Sequence, residues 1–229
     1  MLSKARGHNM AEKRAATVLQ TLRQTLSLPS WVKSRREPFA TLVVTIISQN
    51  TTETNTFKAF EALSNRFEIR PEDIAKAETL EIEKAIKSAG LYKSKAQAIK
   101  QAATTILEKY GGTLQSILSS PLEEARQTLM QFPGIGPKTA DVILLFSAKR
   151  STIPVDTHVN RVSKRLGFVP FNGDYEVVRN NLESLFNPDD YLAVHLFLIA
   201  LGRKTCKARH PKCNECPVKM YCPRKGKWG

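Results

Sequence analysis

The sequence predicts an all-α protein on three observations. Apolar residues recur at three- and four-residue steps through most of the chain, strand-like alternation is nearly absent, and proline or glycine punctuates the periodic stretches at helix-sized intervals. The pattern is clearest at Ala96, Ile99, Ala102, Ala103, Ile106 and Leu107, which form one apolar face of a helix over 94–110. In chain order, a first helix is expected over 11–26. Pro38 opens a second over 39–48, and two more follow over 53–67 and 78–88. Gly90 separates the last of these from 94–110, which Gly111-Gly112 ends. Pro133-Gly134 divides 121–130 from 138–148, Pro154 precedes 157–166, Pro170 precedes 175–186 and Pro188 precedes 190–201. No repeat of 20–50 residues is visible, so the helices are expected to form a compact body rather than a solenoid.

A chain of 229 residues can bury a substantial core, as one large domain or two smaller ones. If there are two, Ser151 to Pro154 is the expected crossing point, because Pro154 interrupts the helical pattern. The apolar fraction of 41% and charged fraction of 24% are those of a folded globular protein. The longest apolar stretch, 191–201, is interrupted by His195 and is too short to span a bilayer, so no membrane partner is expected. Residues 1–17 carry Lys4, Arg6, Lys13 and Arg14 without the apolar centre of a secretory signal, and a cytoplasmic, nucleoid-associated location follows as the expectation.

Charge is where the composition departs from the ordinary. Thirty-five Lys and Arg against 21 Asp and Glu leave a net +14, which favours a polyanionic partner through counterion release. The excess is concentrated near the C-terminus: Arg203, Lys204, Lys207, Arg209, Lys212, Lys219, Arg224, Lys225 and Lys227 face the single acid Glu215.

Phe132-Pro-Gly-Ile-Gly-Pro-Lys-Thr-Ala140 joins two amphipathic helices through Gly134 and Gly136, with Pro137 at a favourable first-turn position. Such a helix-hairpin-helix, over about 128–148, brings backbone close to a phosphate and aims free amides and a positive helix end at it. It grips a nucleic-acid backbone without reading sequence. Lys138 stands in the first turn of the second helix, where the dipole disfavours a cation. It can bind phosphate, or it can act as a nucleophile if its pKa is lowered, since an ordinary lysine is unprotonated in roughly one molecule per thousand near neutrality. Asp156, in Val155-Asp-Thr-His158, can cap the following helix, and a carboxylate held rigidly in that way can also stabilise developing positive charge. His158 is read as a packing histidine rather than an acid.

All four cysteines, Cys206, Cys213, Cys216 and Cys222, fall within 17 residues with six, two and five residues between them. This is a single four-thiolate site. Disulfides do not suit a chain without a secretion signal, and ligand type alone leaves zinc and an iron–sulfur cluster equally open.

Taken together, these residues resemble the endonuclease III family of helix-hairpin-helix DNA glycosylases over nearly the whole chain. The hairpin from Phe132 to Ala140 with its lysine, the Val-Asp-Thr-His run 18 residues further on, and the six–two–five cysteine spacing all match. The resemblance implies a six-helix barrel lobe over 30–150, and a cluster lobe from 1–29 and 151–229, with DNA across a cleft. It implies a 4Fe-4S cluster on the four cysteines and a catalytic pair, Lys138 and Asp156. It also implies DNA contacts from Gly134, Gly136 and Thr139, from Lys207, Arg209 and Lys212 on the loop 207–212, and from two duplex-invading loops. In those loops Gln49 would fill the space of an extruded base and Leu91 would act as a wedge. Thr52 departs from the aspartate common in bacterial relatives, which bears on the base preference. The expected partner is double-stranded DNA containing a damaged base or an abasic site, bound by a monomer. The expected activity is excision of oxidised pyrimidines followed by strand nicking. A mismatch or uracil glycosylase and a non-catalytic DNA-binding module are the alternatives.

Overall fold

The computed structural model describes residues 2–28 and 37–223, with side chains from residue 10 onward. The described residues form twelve α-helices and no strand. These are α1 (Leu2–Thr25), α2 (Pro38–Ser48), α3 (Glu53–Ser64), α4 (Pro71–Lys76), α5 (Thr79–Ala85) and α6 (Tyr92–Tyr110), then α7 (Gln115–Ser119), α8 (Leu122–Met130), α9 (Pro137–Phe146), α10 (Thr157–Leu166), α11 (Tyr175–Leu185) and α12 (Tyr191–Lys204). Helix α1 begins well before residue 11, and the stretch expected over 78–88 closes as a 3-10 turn at Lys87–Ala89. The sequence pattern missed α4 and α7. At six and five residues they are too short to display a full apolar stripe, although Pro71 followed by Glu72 and Asp73 is a good helix start. No described helix is long and apolar enough to cross a membrane.

The chain divides into two compact units, Arg35–Arg150 and Met1–Ser34 with Ser151–Gly229. The boundary expected at residue 30 lies outside the described residues. In the continuous unit, α6 packs against α2, α4 and α5, and α9 packs against α2 and α8. Leu42 and Ile46 of α2, Leu63 of α3, Ile74 of α4, Ile82 of α5, Ile99 and Ile106 of α6, Leu129 of α8 and Ile143 of α9 bury completely or nearly so in one core. At about 1.5–3 kcal/mol for each such side chain, this core is the main force holding the helices in register.

In the other unit α12 is central and packs against α1 and α10. The approach of α10 depends on Gly202: a Cβ there would lie 2.9 Å from the His158 ring, and the Arg161 guanidinium already donates to the Gly202 carbonyl at 3.1 Å. Arg14 of α1 donates to the carbonyls of Leu166 and Gly167 at the end of α10 and to that of Tyr221, and its guanidinium lies over the Phe168 ring at 5.2 Å. Arg165, 7% exposed, donates to the Lys207 and Ala208 carbonyls and pins the start of the basic loop.

Candidate active site

Helices α8 and α9 form the predicted hairpin. Gly134 has φ +77°, a left-handed conformation that the turn requires and that a side chain would strain. Gly136 is the extended N-cap residue of α9, Pro137 takes the first helical position, and Lys138 follows in the first turn. Gly134 and Gly136 are exposed and Lys138 is half-buried, so the tip presents two glycine backbones and one amine beside the positive helix end. Thr139, expected among the DNA contacts, is instead turned inward at 5% exposure, with its amide donating to the Gly136 carbonyl at 3.0 Å. The two helices are locked by a buried ion pair: Arg126 Nε donates to Asp141 Oδ1 at 2.7 Å, and the guanidinium reaches Oδ2 at 3.3 Å.

Gln49 is the C-cap residue of α2, and its Nε2 donates to the Gly134 carbonyl at 2.7 Å, which joins its loop to the hairpin. Leu91 is 62% exposed and stands in left-handed backbone, φ +47°, directly before α6. Exposure of that size rules out a core role for the side chain. Thr52 caps α3, its hydroxyl accepting from the Asn55 amide at 3.2 Å. An aspartate would do the same, so the departure at this position leaves the local fold intact.

In the discontinuous unit Asp156 caps α10. Its Oδ1 accepts from the Val159 amide at 2.7 Å, which fixes the carboxylate at the helix's positive end. The four residues before it are buried and clamped by side chains that sequence reasoning did not assign. Glu183 Oε1 accepts from the Thr152 hydroxyl and the Ile153 amide, both at 2.9 Å. The Tyr175 hydroxyl accepts from the Val155 amide at 3.3 Å, and His195 Nδ1–H donates to the Pro154 carbonyl at 2.8 Å. A histidine interrupting an otherwise apolar helix was the one visible signal. His158 accepts at Nδ1 from Arg161 at 3.0 Å. Burial holds its pKa below the ordinary range, against the opposing pull of Asp156.

Cys206 follows α12, while Cys213 and Cys216 bracket one 3-10 turn and Cys222 follows another, at Lys219–Tyr221. All four half-buried thiols line one cavity, whose wall is completed by Val162 and Leu166 of α10, Leu201 of α12, and Pro211. Burial pushes the Cys216 thiol up, the amide at Val218 opposes this, and the other three cysteines push it further. Four sulfur donors brought to one cavity suit a metal group, which binds them as thiolates. Among the described residues no three His, Cys, Asp or Glu side chains converge tightly enough for one ion; the cysteines surround a space rather than a point. Lys207, Arg209 and Lys212 are exposed on the adjoining loop, and Lys212 also pairs with Glu215 at 3.2 Å.

Against known proteins, residues 43–188 match the HhH-GPD superfamily base excision DNA repair protein family. The endonuclease III of Sulfolobus acidocaldarius is 39% identical over 188 residues, covering 82% of each chain. That of Thermotoga maritima is 35% identical over 196 residues, covering 83% of this chain and 86% of its own. Among solved structures, a trapped endonuclease III–DNA covalent intermediate, in an estranged-adenine complex, matches with a TM-score of 0.82 at 30% identity, over 94% of this chain and 97% of the other.

Proposed function

Because the chain belongs to the endonuclease III family of HhH-GPD base excision repair proteins, we propose that it is a bifunctional DNA glycosylase and abasic-site lyase that excises oxidised pyrimidines from double-stranded DNA. The observation that carries the reading is Lys138, an amine in the first turn of a helix whose glycine tip is exposed. A lysine there works against the helix dipole and is accounted for by chemistry.

In this reading Lys138 Nζ attacks C1′ of the extruded nucleotide and the glycosidic bond breaks, the departing base taking a proton. Asp156 stabilises the positive charge that develops on the sugar and assists proton transfer. The sugar ring opens to an imine between Nζ and C1′, loss of a C2′ proton expels the 3′ phosphate, and hydrolysis frees the lysine. Gly134 and Gly136 receive backbone phosphate, and Lys207, Arg209 and Lys212 hold it further along the duplex. Gln49 fills the space of the extruded base and Leu91 wedges the stack, which offsets the cost of unpairing, a few kcal/mol.

Cys206, Cys213, Cys216 and Cys222 would hold a 4Fe-4S cluster, a reading supported by their shared cavity and its apolar floor. The cluster would cross-link 206–222 and so fix the basic loop. The protein would act as a monomer, in the cytoplasm on nucleoid DNA, with a six-helix barrel lobe of 30–150 and a cluster lobe of 1–29 with 151–229.

The test is a comparison of the native protein with Lys138→Ala on duplexes bearing thymine glycol or an abasic site, with borohydride present to reduce the imine. The native protein should nick both and form a covalent adduct that Lys138→Ala does not. An equal adduct from the variant would remove Lys138 from the role, and nicking of the abasic duplex alone would leave the lyase and withdraw the oxidised pyrimidine.

A further inference from the structure

Lys95 is buried to 4% exposure in the first turn of α6, and the chemistry above makes no use of it. A buried ammonium is retained only where acceptors replace its water. Here the partners are two backbone carbonyls: Nζ donates to Ile47 O at 2.9 Å and to Ala89 O at 3.0 Å. Burial holds its pKa below the usual lysine range, and the amine keeps hydrogens for both carbonyls in either protonation state.

Both carbonyls sit beside the loops read above as entering the duplex. Ile47 O lies in the last turn of α2, where carbonyls lack intrahelical partners, two residues before Gln49. Ala89 O closes the 3-10 turn two residues before Leu91. The Lys95 amide donates in addition to Leu91 O at 3.1 Å, an oxygen that also accepts from the Ser94 hydroxyl at 2.9 Å. One residue thus grips both loops, and the Gln49–Gly134 hydrogen bond carries the connection to the hairpin.

The loops need such a grip. Asn50 and Leu91 both hold left-handed backbone, at φ +51° and +47°, a conformation that persists in non-glycine residues only where the surroundings enforce it. Side chains inserted into a base stack bind best when their geometry exists before contact, because ordering on binding subtracts from affinity.

We propose that Lys95 is a positioning residue for base extrusion, holding the Gln49 and Leu91 loops at a fixed separation so that plug and wedge enter the duplex together. The proposal rests on the glycosylase reading and on the roles given there to Gln49 and Leu91. Lys95 touches neither substrate nor reacting atoms, so its loss should be felt where a base pair must be opened and not where the lesion is already unpaired.

The experiment compares single-turnover excision of thymine glycol from a fully paired duplex and from a bubble that leaves the lesion unpaired, for the native protein, Lys95→Met and Lys95→Arg. Active concentration is fixed for each by borohydride trapping on an abasic single strand, so partial unfolding cancels from the paired-to-bubble ratio. Losing both carbonyl contacts should lower that ratio about tenfold in Lys95→Met. Lys95→Arg, which keeps the donors, should recover most of it. A ratio unchanged in Lys95→Met, whether both rates fall together or neither falls, overturns the positioning role. Inactivity of the native protein on both substrates would instead overturn the oxidised-pyrimidine reading, and the proposal with it.

Discussion

Asp156 combines two tasks that a single substitution can separate. Its Oδ1 caps α10 through the Val159 amide at 2.7 Å, and asparagine caps a helix about as well as aspartate. Asp156→Asn should therefore leave the melting temperature nearly unchanged, whereas Asp156→Ala should cost about 1 kcal/mol of stability. Both should slow base excision, by on the order of a hundredfold or more if the carboxylate charge stabilises the developing cation. Thermal melts and single-turnover assays on the same two proteins check this, and excision at the native rate by Asp156→Asn would leave the residue only its cap. At this scale much was legible. The spacing of Gly134, Gly136, Pro137 and Lys138 marked the hairpin, and the position of Asp156 before a periodic helix marked the cap. The burial of Thr139 was not legible, because the helical face it occupies is set by how α9 packs, which a nine-residue motif does not contain. Glu183, Tyr175 and His195, which clamp the backbone ahead of Asp156, went unassigned because they reach it from α11 and α12.

The hairpin as an element depends on more than its glycines. Arg126 on α8 and Asp141 on α9, 15 residues apart, form a bidentate pair with side-chain exposures of 5% and 0%. Removing Asp141 takes two contacts from a buried guanidinium that keeps Glu123 at 2.8 Å, so Asp141→Ala should destabilise the protein by about 1–3 kcal/mol in denaturant titration. Replacing both with apolar residues of similar volume should recover a large part of that loss. A double variant no more stable than Asp141→Ala would show that the pair contributes through its geometry and not through satisfied charge. No sequence period predicts this pair, since each residue sits on the buried side of its own amphipathic helix, where an apolar side chain is the default. The same limit applied to α4 and α7: one or two turns do not establish a 3.6-residue period, so elements held mainly by tertiary packing were missed while every longer helix was seen.

Over the whole molecule, a net +14 should express itself as salt dependence. Each neutralised phosphate contributes a slope of about −0.9 to log K against log salt concentration. Arg209→Ala or Lys207→Ala should therefore reduce the slope for an undamaged duplex by about 1. Lys212→Ala should reduce it by less, because Glu215 already compensates that charge at 3.2 Å. Fluorescence anisotropy across a salt series measures all three, and equal slopes throughout would take the loop 207–212 out of the interface. Composition made the polyanionic partner legible and the cysteine spacing made a four-thiolate site legible. The sequence pattern did not show how the basic loop is held, because Arg165 fixes it from α10, some forty residues earlier in the chain.

Arg14 ties the first helix to segments made much later in synthesis. Its acceptors, the carbonyls of Leu166 and Tyr221, lie 152 and 207 residues downstream. At roughly 5–20 residues per second, α1 leaves the ribosome on the order of ten seconds or more before the first of them exists. The unit Arg35–Arg150 is continuous in sequence and can close during that interval, while the apolar face of α1 stays exposed to chaperones and to neighbouring nascent chains. The four thiols are made after the hairpin, so any metal group they take up meets a chain in which residues 128–148 already exist.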